Sequence, residues 1–157
     1  MKKKPIIITV VIVAAAAILI GGGIYLYPHL VERTVSQVVG NDMADIVKIS
    51  LNDRNVGNKV IEVTDKEDIE EIVGLVKDLK VKKKFDQSDK YVGGGLWITM
   101  TTSEGEKISL ASWKEINGVK YKFLASSDDL MDIYIYIAKK YDLRDWPEEE
   151  MEQDIVE

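Results

Sequence analysis

Residues 5–27 read PIIITVVIVAAAAILIGGGIYLY, an uncharged apolar run of 23 residues that follows three consecutive lysines. As an α-helix at about 1.5 Å per residue, the run would extend about 34 Å, enough to cross a hydrocarbon core of about 30 Å. We therefore predict a transmembrane helix at residues 5–27, preceded by a cytoplasmic basic tip at residues 1–4. The remainder of the chain is rich in charged residues and is predicted to fold as a separate domain.

The charges flanking this run predict its orientation. Lysines stand before it and none follows until Lys48, so the N-terminus is expected in the cytoplasm and the domain outside the cell membrane. A cleaved signal peptide is the alternative, because residues 14–17 are all alanine and offer Ala-x-Ala matches. The chain has no cysteine, hence no disulfide and no lipid-attachment site, which is typical of a bacterial exported domain of the Gram-positive type.

The charge balance bears on the class of partner. Without the three N-terminal lysines the chain carries 18 Lys and Arg against 27 Asp and Glu, a net charge of −9. This acidity argues against nucleic acid and against an anionic lipid surface as the main partner. Six of the acidic residues lie after Pro147, so residues 147–157 are predicted to be a disordered acidic tail.

Residues 43–146 have the spacing of an α+β domain. We predict a two-layer fold in which two helices cover one face of an antiparallel sheet of about five or six strands, after a juxtamembrane helix or stalk at residues 28–42. Pro28 is expected to end the membrane helix. The predicted strands are residues 45–51, 59–63, 80–85, 96–102, 107–113 and 119–123. Asn117-Gly118 is the strongest hairpin signal in the chain.

Two helices are predicted from caps and apolar stripes. Thr64 and Glu67 form a capping-box pattern at the start of the first helix, residues 65–79. Ser126 or Ser127 is expected to cap the second. Their predicted buried stripes are Ile69, Ile72, Val73, Val76 and Leu79 in the first and Leu130, Ile133, Tyr134, Ile137, Ala138 and Tyr141 in the second.

The run Ile-Glu-Val-Thr-Asp-Lys-Glu-Asp-Ile-Glu-Glu-Ile (residues 61–72), a Lys-rich strand, a glycine-bearing loop and Ile-Asn-Gly-x-x-Tyr (residues 116–121) follow one another in this order. This sequence resembles small uncharacterised extracytoplasmic domains of Gram-positive bacteria that are tethered by a lipid or one helix. The resemblance covers roughly residues 45–141 and implies location and fold, but no activity and no catalytic residue. The element order is also similar to that of TATA-binding-protein-like domains, an analogy of fold that carries no function.

Catalytic and metal-binding patterns are weak, so we expect no enzyme activity, no metal site and no cofactor. The only histidine, His29, stands at the predicted membrane boundary, and the chain lacks a Gly-x-Ser-x-Gly elbow. Residues 93–95 are three glycines without the lysine of a phosphate loop, and residues 53–58 match a calcium loop poorly. Capping and solvation explain the remaining carboxylate clusters, Asp86 with Asp89 and Asp128 with Asp129 and Asp132.

Strand parity predicts a partner surface on the sheet face away from the helices. The residues assigned to it are Trp97, Thr99, Thr101, Lys107, Ser109, Trp113, Lys120 and Lys122. The alternative is that the Gly-rich loop or the juxtamembrane segment covers the two tryptophans. Three functions follow: an interaction or inhibitory module that binds a protein or cell-envelope ligand, a ligand-sensing ectodomain that acts through a membrane partner, and a carboxylate-dependent enzyme.

Overall fold

In the computed structural model, which describes residues 4–55, 59–88 and 95–144, the chain forms one antiparallel sheet of eight strands and four helices. In chain order the elements are α1 (Lys4–Leu30), β1 (Arg33–Thr34), α2 (Val35–Val39), β2 (Ile46–Asp53), β3 (Val60–Val63), α3 (Lys66–Val76), β4 (Lys80–Lys83), β5 (Leu96–Thr102), β6 (Lys107–Ala111), β7 (Glu115–Ile116), β8 (Val119–Phe123) and α4 (Ser127–Lys140). The strands are ordered β1-β4-β8-β7-β6-β5-β2-β3 across the sheet. The predicted α+β class is confirmed. The strand count exceeds the prediction, since β1 and β7 have two residues each and leave no alternating pattern to detect.

The hydrophobic core lies on one face of the sheet, beneath α3 and α4. Along β5, Leu96, Ile98 and Met100 are buried and alternate with half-exposed residues. They belong to the same apolar cluster as Ile72 of α3 and Ile137 of α4, both fully buried. The predicted helix stripes therefore do cover one face of the sheet, and the opposite face has no helix packed on it among the described elements.

Helix α1 is longer at its C-terminal end than predicted. Pro28 lies inside it, and the helical hydrogen bonding continues because the Val31 amide donates to the Tyr27 carbonyl (3.1 Å). A proline costs one backbone donor in the last turn, which this helix tolerates. Residues Val11–Leu30 have a mean hydropathy of 2.0, and apart from His29, which is buried beside Phe85, their side chains are largely exposed. The helix is thus long and apolar enough to cross a membrane, properties that a signal sequence shares.

Residues 31–40 pack against the domain and do not form a stalk. Strand β1 pairs with β4, and Val35 at the start of α2 is fully buried in the core. The Val35 and Ser36 amides donate to the carbonyls of Leu79 and Lys77, both at 3.0 Å. The helical spacing that indicated a juxtamembrane helix corresponds in part to α2. Its residues Val35, Val38 and Val39 pack against the domain core. The folded domain therefore begins at β1, about ten residues before the predicted boundary.

The cap of α3 differs from the prediction. Asp65, not Thr64, is the N-cap, and its carboxylate accepts from the amides of Glu67 (2.9 Å) and Asp68 (3.2 Å). The helix starts one residue later than the capping-box pattern indicated, and an aspartate at that position satisfies two free amides.

The second helix and the hairpin were predicted correctly. Ser126 caps α4, and a capping box forms with Asp129. Asn117 (φ 50°) and Gly118 (φ 75°) join β7 to β8 with both residues left-handed, as a type I′ turn requires. The predicted acidic tail lies outside the described residues.

Candidate functional site

Five of the eight predicted surface residues share the sheet face opposite the helices. Trp97, Thr99 and Thr101 alternate along β5 with the buried core residues and are half exposed. Ser109 and Lys107 of β6 lie directly opposite Thr99 and Thr101 in the ladder, and residues opposite one another in antiparallel strands share a face. Ser50 and Asn52 of β2 extend this surface, which we call the open face: Ser50, Asn52, Trp97, Thr99, Thr101, Lys107 and Ser109.

Trp97 is the centre of a groove on the open face. The Arg54 guanidinium lies 3.6 Å from the centre of the indole ring, a cation–π contact. The groove measures about 570 Å³ and is bordered by Ser50, Asn52, Val60 and Thr99. The Trp97 indole Nε1 is buried without a hydrogen-bond partner. The groove therefore combines a flat aromatic surface, a cation and small hydroxyl and amide groups.

Trp113 does not lie on the open face, so the predicted pairing of the two tryptophans is wrong. Strand β6 ends at Ala111, and the next two residues, Ser112 (φ 50°) and Trp113 (φ 54°), are both left-handed. This turn carries the Trp113 ring to the helix side, where it packs edge-on against Phe123 with ring centres 6.0 Å apart. Gly95 permits the turn, because a Cβ there would stand 2.4 Å from the Ser112 hydroxyl oxygen.

Lys120 and Lys122, which were also predicted for the partner surface, are not part of the open face. Lys120 is only 9% exposed, and its Nζ has no hydrogen-bond partner. The segment after β4 continues alongside β8: the Gln87 side chain accepts from the Lys120 amide (2.8 Å), and the Lys84 amide donates to the Lys120 carbonyl (3.0 Å). Lys120 was assigned to the predicted partner surface, but it is buried and residues 84–87 are hydrogen-bonded to its backbone. Lys122 is exposed on β8 and lies opposite Lys82, three strands from β5.

A second concavity, absent from the sequence prediction, lies on the helix side. It measures about 420 Å³ and is lined mainly by Leu96, Trp113, Leu130, Met131 and Tyr134. The Tyr134 hydroxyl donates to the Asp53 carboxylate at 2.6 Å, and burial together with this bond raises the pKa of Tyr134. The sequence signal for this cavity was the extra width of the α4 stripe, since Met131 lies beyond the residues needed for the core.

Both carboxylate oxygens of Asp53 accept hydrogen bonds from within the domain, unlike those of a calcium-loop ligand. Asp53 is 2% exposed, and its carboxylate also accepts from the Asn55 amide at 2.9 Å. The hairpin turn expected there agrees with these bonds, although residues 56–58 are outside the described part of the chain.

Two of the carboxylates considered for acid–base chemistry, Asp86 and Asp129, accept hydrogen bonds that stabilise local structure. Asp86 accepts from the Ser88 hydroxyl and amide, which lowers its pKa, and Asp89 lies outside the described residues. Asp129 caps α4. Within residues 4–55, 59–88 and 95–144, no three His, Cys, Asp or Glu side chains are placed to hold a metal ion.

A charged cluster joins α3 to α4. The Lys140 ammonium binds Asp68 (2.8 Å) and Glu71, and Glu71 also accepts from the Tyr136 hydroxyl. The hydrogen bonds from Lys140 lower the pKa values of Asp68 and Glu71, and the two carboxylates raise that of Lys140. The cluster lies on the outer side of the helices and ties them together, so we assign it a structural role.

No family model, curated protein or solved structure matches this chain. The functional argument therefore depends on the geometry of the anchor helix, the open face and the helix-side cavity.

Proposed function

We propose that this chain is a single-pass membrane protein whose extracytoplasmic domain is a non-enzymatic interaction module that binds a protein partner through the open face. Helix α1 is its anchor, with the N-terminus in the cytoplasm and the domain outside. The observation that carries the proposal is the combination of an apolar, unburied α1 with a sheet face that no described helix covers.

The chemistry of the open face supports a protein partner. Trp97 and the Arg54 guanidinium stacked on it are residue types enriched among interface hot spots. Around them stand Ser50, Thr99 and Ser109, whose hydroxyl groups both donate and accept hydrogen bonds. The Trp97 ring is half exposed and offers a partner a flat aromatic surface to bury.

A photo-crosslinking experiment tests this proposal. A benzophenone amino acid replaces Thr99 on the open face, and in a control it replaces Glu70, which is exposed on α3 at the opposite side of the domain. In native membranes we expect a discrete crosslinked product from position 99 and none from position 70, with loss of the product in a Trp97→Ala background. Absence of a product at position 99, or equal products at both positions, would overturn the proposal.

The helix-side cavity favours a second function, that of a ligand-sensing ectodomain. Its volume of about 420 Å³ and its apolar lining suit a small apolar molecule. A sensor of this kind would act through a partner in the membrane that α1 spans. Binding of an anilinonaphthalene dye that Leu130→Trp abolishes would support this function, and dye binding unaffected by that substitution would count against it.

A further inference from the structure

Contacts between the C-terminal end of α1 and the C-terminal end of β4 hold these two elements together. The His29 ring, one residue before the end of α1, stacks on Phe85 at 4.2 Å and tilts against Tyr25 at 5.5 Å. The His29 Nδ1 lies 3.3 Å from the Lys83 carbonyl oxygen. Only two residues separate α1 from β1, and β1 pairs with β4. The domain is therefore held directly against the end of α1.

The direction of β4 follows from this pairing. Strand β1 leads away from α1, and β4 is antiparallel to β1, so β4 runs back toward α1 and reaches it at Phe85. With α1 as the membrane anchor, Phe85 lies at the depth of the membrane interface. Its side chain is 56% exposed although it is aromatic, and the neighbouring Tyr25 and Leu30 are similarly exposed. Aromatic rings at this depth partition into the boundary between headgroups and acyl chains.

Lysines are concentrated beside this exposed ring. Lys82, Lys83 and Lys84 precede Phe85 along β4 and its continuation, and Lys122 lies opposite Lys82 on β8. We call these four residues the β4 lysine patch. Lys82, Lys83 and Lys122 take part in none of the ion pairs found among the described residues. The acids next to this region are Asp86, which Lys84 attracts, and Glu32, between α1 and β1. Positive charge is in excess here, although the whole chain is acidic.

We infer that the domain docks on the surface of the membrane that α1 spans, with Phe85 inserted at the interface and the β4 lysine patch bound to anionic phospholipid headgroups. This inference rests on the proposed membrane anchorage, and it holds for either orientation of α1. It revises the expectation that the net negative charge of the chain disfavours an anionic lipid surface. Such a surface interacts mainly with protein charges within about one Debye length, about 8 Å at physiological ionic strength. Lys84 is adjacent to Phe85, and Lys82, about 10 Å from it along the strand, reaches the edge of that layer with its long side chain, whereas Lys80, five residues and about 16 Å away, does not reach it.

The absence of cysteine makes the test direct. In the full chain reconstituted into vesicles, Ser88→Cys places an environment-sensitive fluorophore three residues after Phe85, and Ser127→Cys places it at the start of α4. Both serines are exposed, and Ser127 lies beyond the far end of β4, where the Leu124 amide bonds to Lys80. In vesicles of 30% phosphatidylglycerol in phosphatidylcholine, as a chosen composition, we expect blue-shifted emission and quenching by brominated lipid at position 88 only.

The lysine variants measure the electrostatic part of docking. One lysine near an anionic surface changes the binding equilibrium about fivefold, so Lys84→Gln should lower the ratio of docked to free domain about fivefold and Lys82→Gln with Lys84→Gln about 25-fold. Lys80→Gln is the matched control and should have little effect. Phe85→Ser should weaken docking in vesicles of phosphatidylcholine alone as well as in anionic vesicles.

A third probe distinguishes failure of the docking inference from failure of the proposed membrane anchorage. A probe at Ile18→Cys, in the middle of α1, reports whether the helix is in the bilayer. If that probe is quenched by lipid while the probe at position 88 behaves like the one at position 127, the docking inference is wrong and the anchor stands. If the probe at position 18 is in water, the anchorage itself fails. If Lys80→Gln and Lys84→Gln weakened docking equally, the position of Lys84 closer to the membrane than Lys80, which the strand direction requires, would be refuted.

Discussion

The two tryptophans in the described part of the chain, Trp97 and Trp113, should lose unequal amounts of stability on truncation. Trp113 is half buried on the helix side and packs edge-on against Phe123. Truncating a fully buried tryptophan costs about 3–5 kcal/mol, and an aromatic pair adds about 0.5–1.5 kcal/mol. Taking half of the first range for partial burial and adding the second, we expect Trp113→Ala to lower the free energy of unfolding by about 2–4 kcal/mol.

Trp97→Ala should cost much less. The ring lies on the open face, and its only aromatic contact in the described part of the chain is the stacked Arg54, worth about 0.5–1 kcal/mol at an exposed site. Removing the indole also removes a buried donor that lacks a partner, which offsets part of that loss. We expect a change of about 1 kcal/mol or less.

Urea denaturation of the full chain in mild detergent, followed by far-UV circular dichroism, measures both free energies. The midpoint should fall clearly for Trp113→Ala and little for Trp97→Ala, and thermal melting should drop by about 10 °C for the former. Trp113→Phe, which keeps a ring beside Phe123, should recover part of the loss. Equal destabilisation by the two alanine variants would show that Trp97 is a core residue, and the open-face proposal would then lose its central side chain.

Three further predictions concern caps, buried hydrogen bonds and pH. Asp65→Ala should lower the free energy of unfolding by about 0.5–2 kcal/mol while Thr64→Ala changes it little, by urea denaturation; the reverse order would restore Thr64 as the cap. Tyr134→Phe should cost about 1.5–3 kcal/mol because Asp53, 2% exposed, loses a donor, whereas Tyr136→Phe, at the exposed Glu71, should cost clearly less. The pKa values of Asp68 and Glu71 are lowered in the folded chain, so their contribution to stability is present above their unfolded pKa values and is lost as pH falls through the lowered ones. In Lys140→Gln, both carboxyl groups should titrate at higher pH when followed by NMR. Unchanged titration would show that Lys140 does not cause the lowered pKa values.

The sequence predicted those elements whose pattern is local. Strand β5 alternates over seven residues, so its two faces could be assigned in advance, and the Asn117-Gly118 turn has one strongly preferred geometry. Trp113 was misplaced because parity assumes a continuous strand. The left-handed residues that end β6 are a serine and a tryptophan, neither of which signals a turn, and the glycine that permits it is 17 positions earlier at Gly95. Lys120 was misplaced for a similar reason, since the Gln87 contact joins residues 33 positions apart.

The short connection between α1 and β1 limits which partners the open face can reach. If residues 28–42 were a flexible stalk, one form of the predicted juxtamembrane helix or stalk, they would have a root-mean-square length of about 20 Å and would let the domain turn freely. Two residues between α1 and β1, with His29 stacked on Phe85, allow neither that reach nor that freedom. With α1 in the bilayer, β4 ends at the membrane beside Phe85, and the open face belongs to the same sheet. A partner that binds there must itself lie within one domain's height of the membrane, which favours another membrane protein over a diffusing ligand of the cell wall. The crosslinked product from position 99 should accordingly remain in the membrane fraction after a high-salt wash.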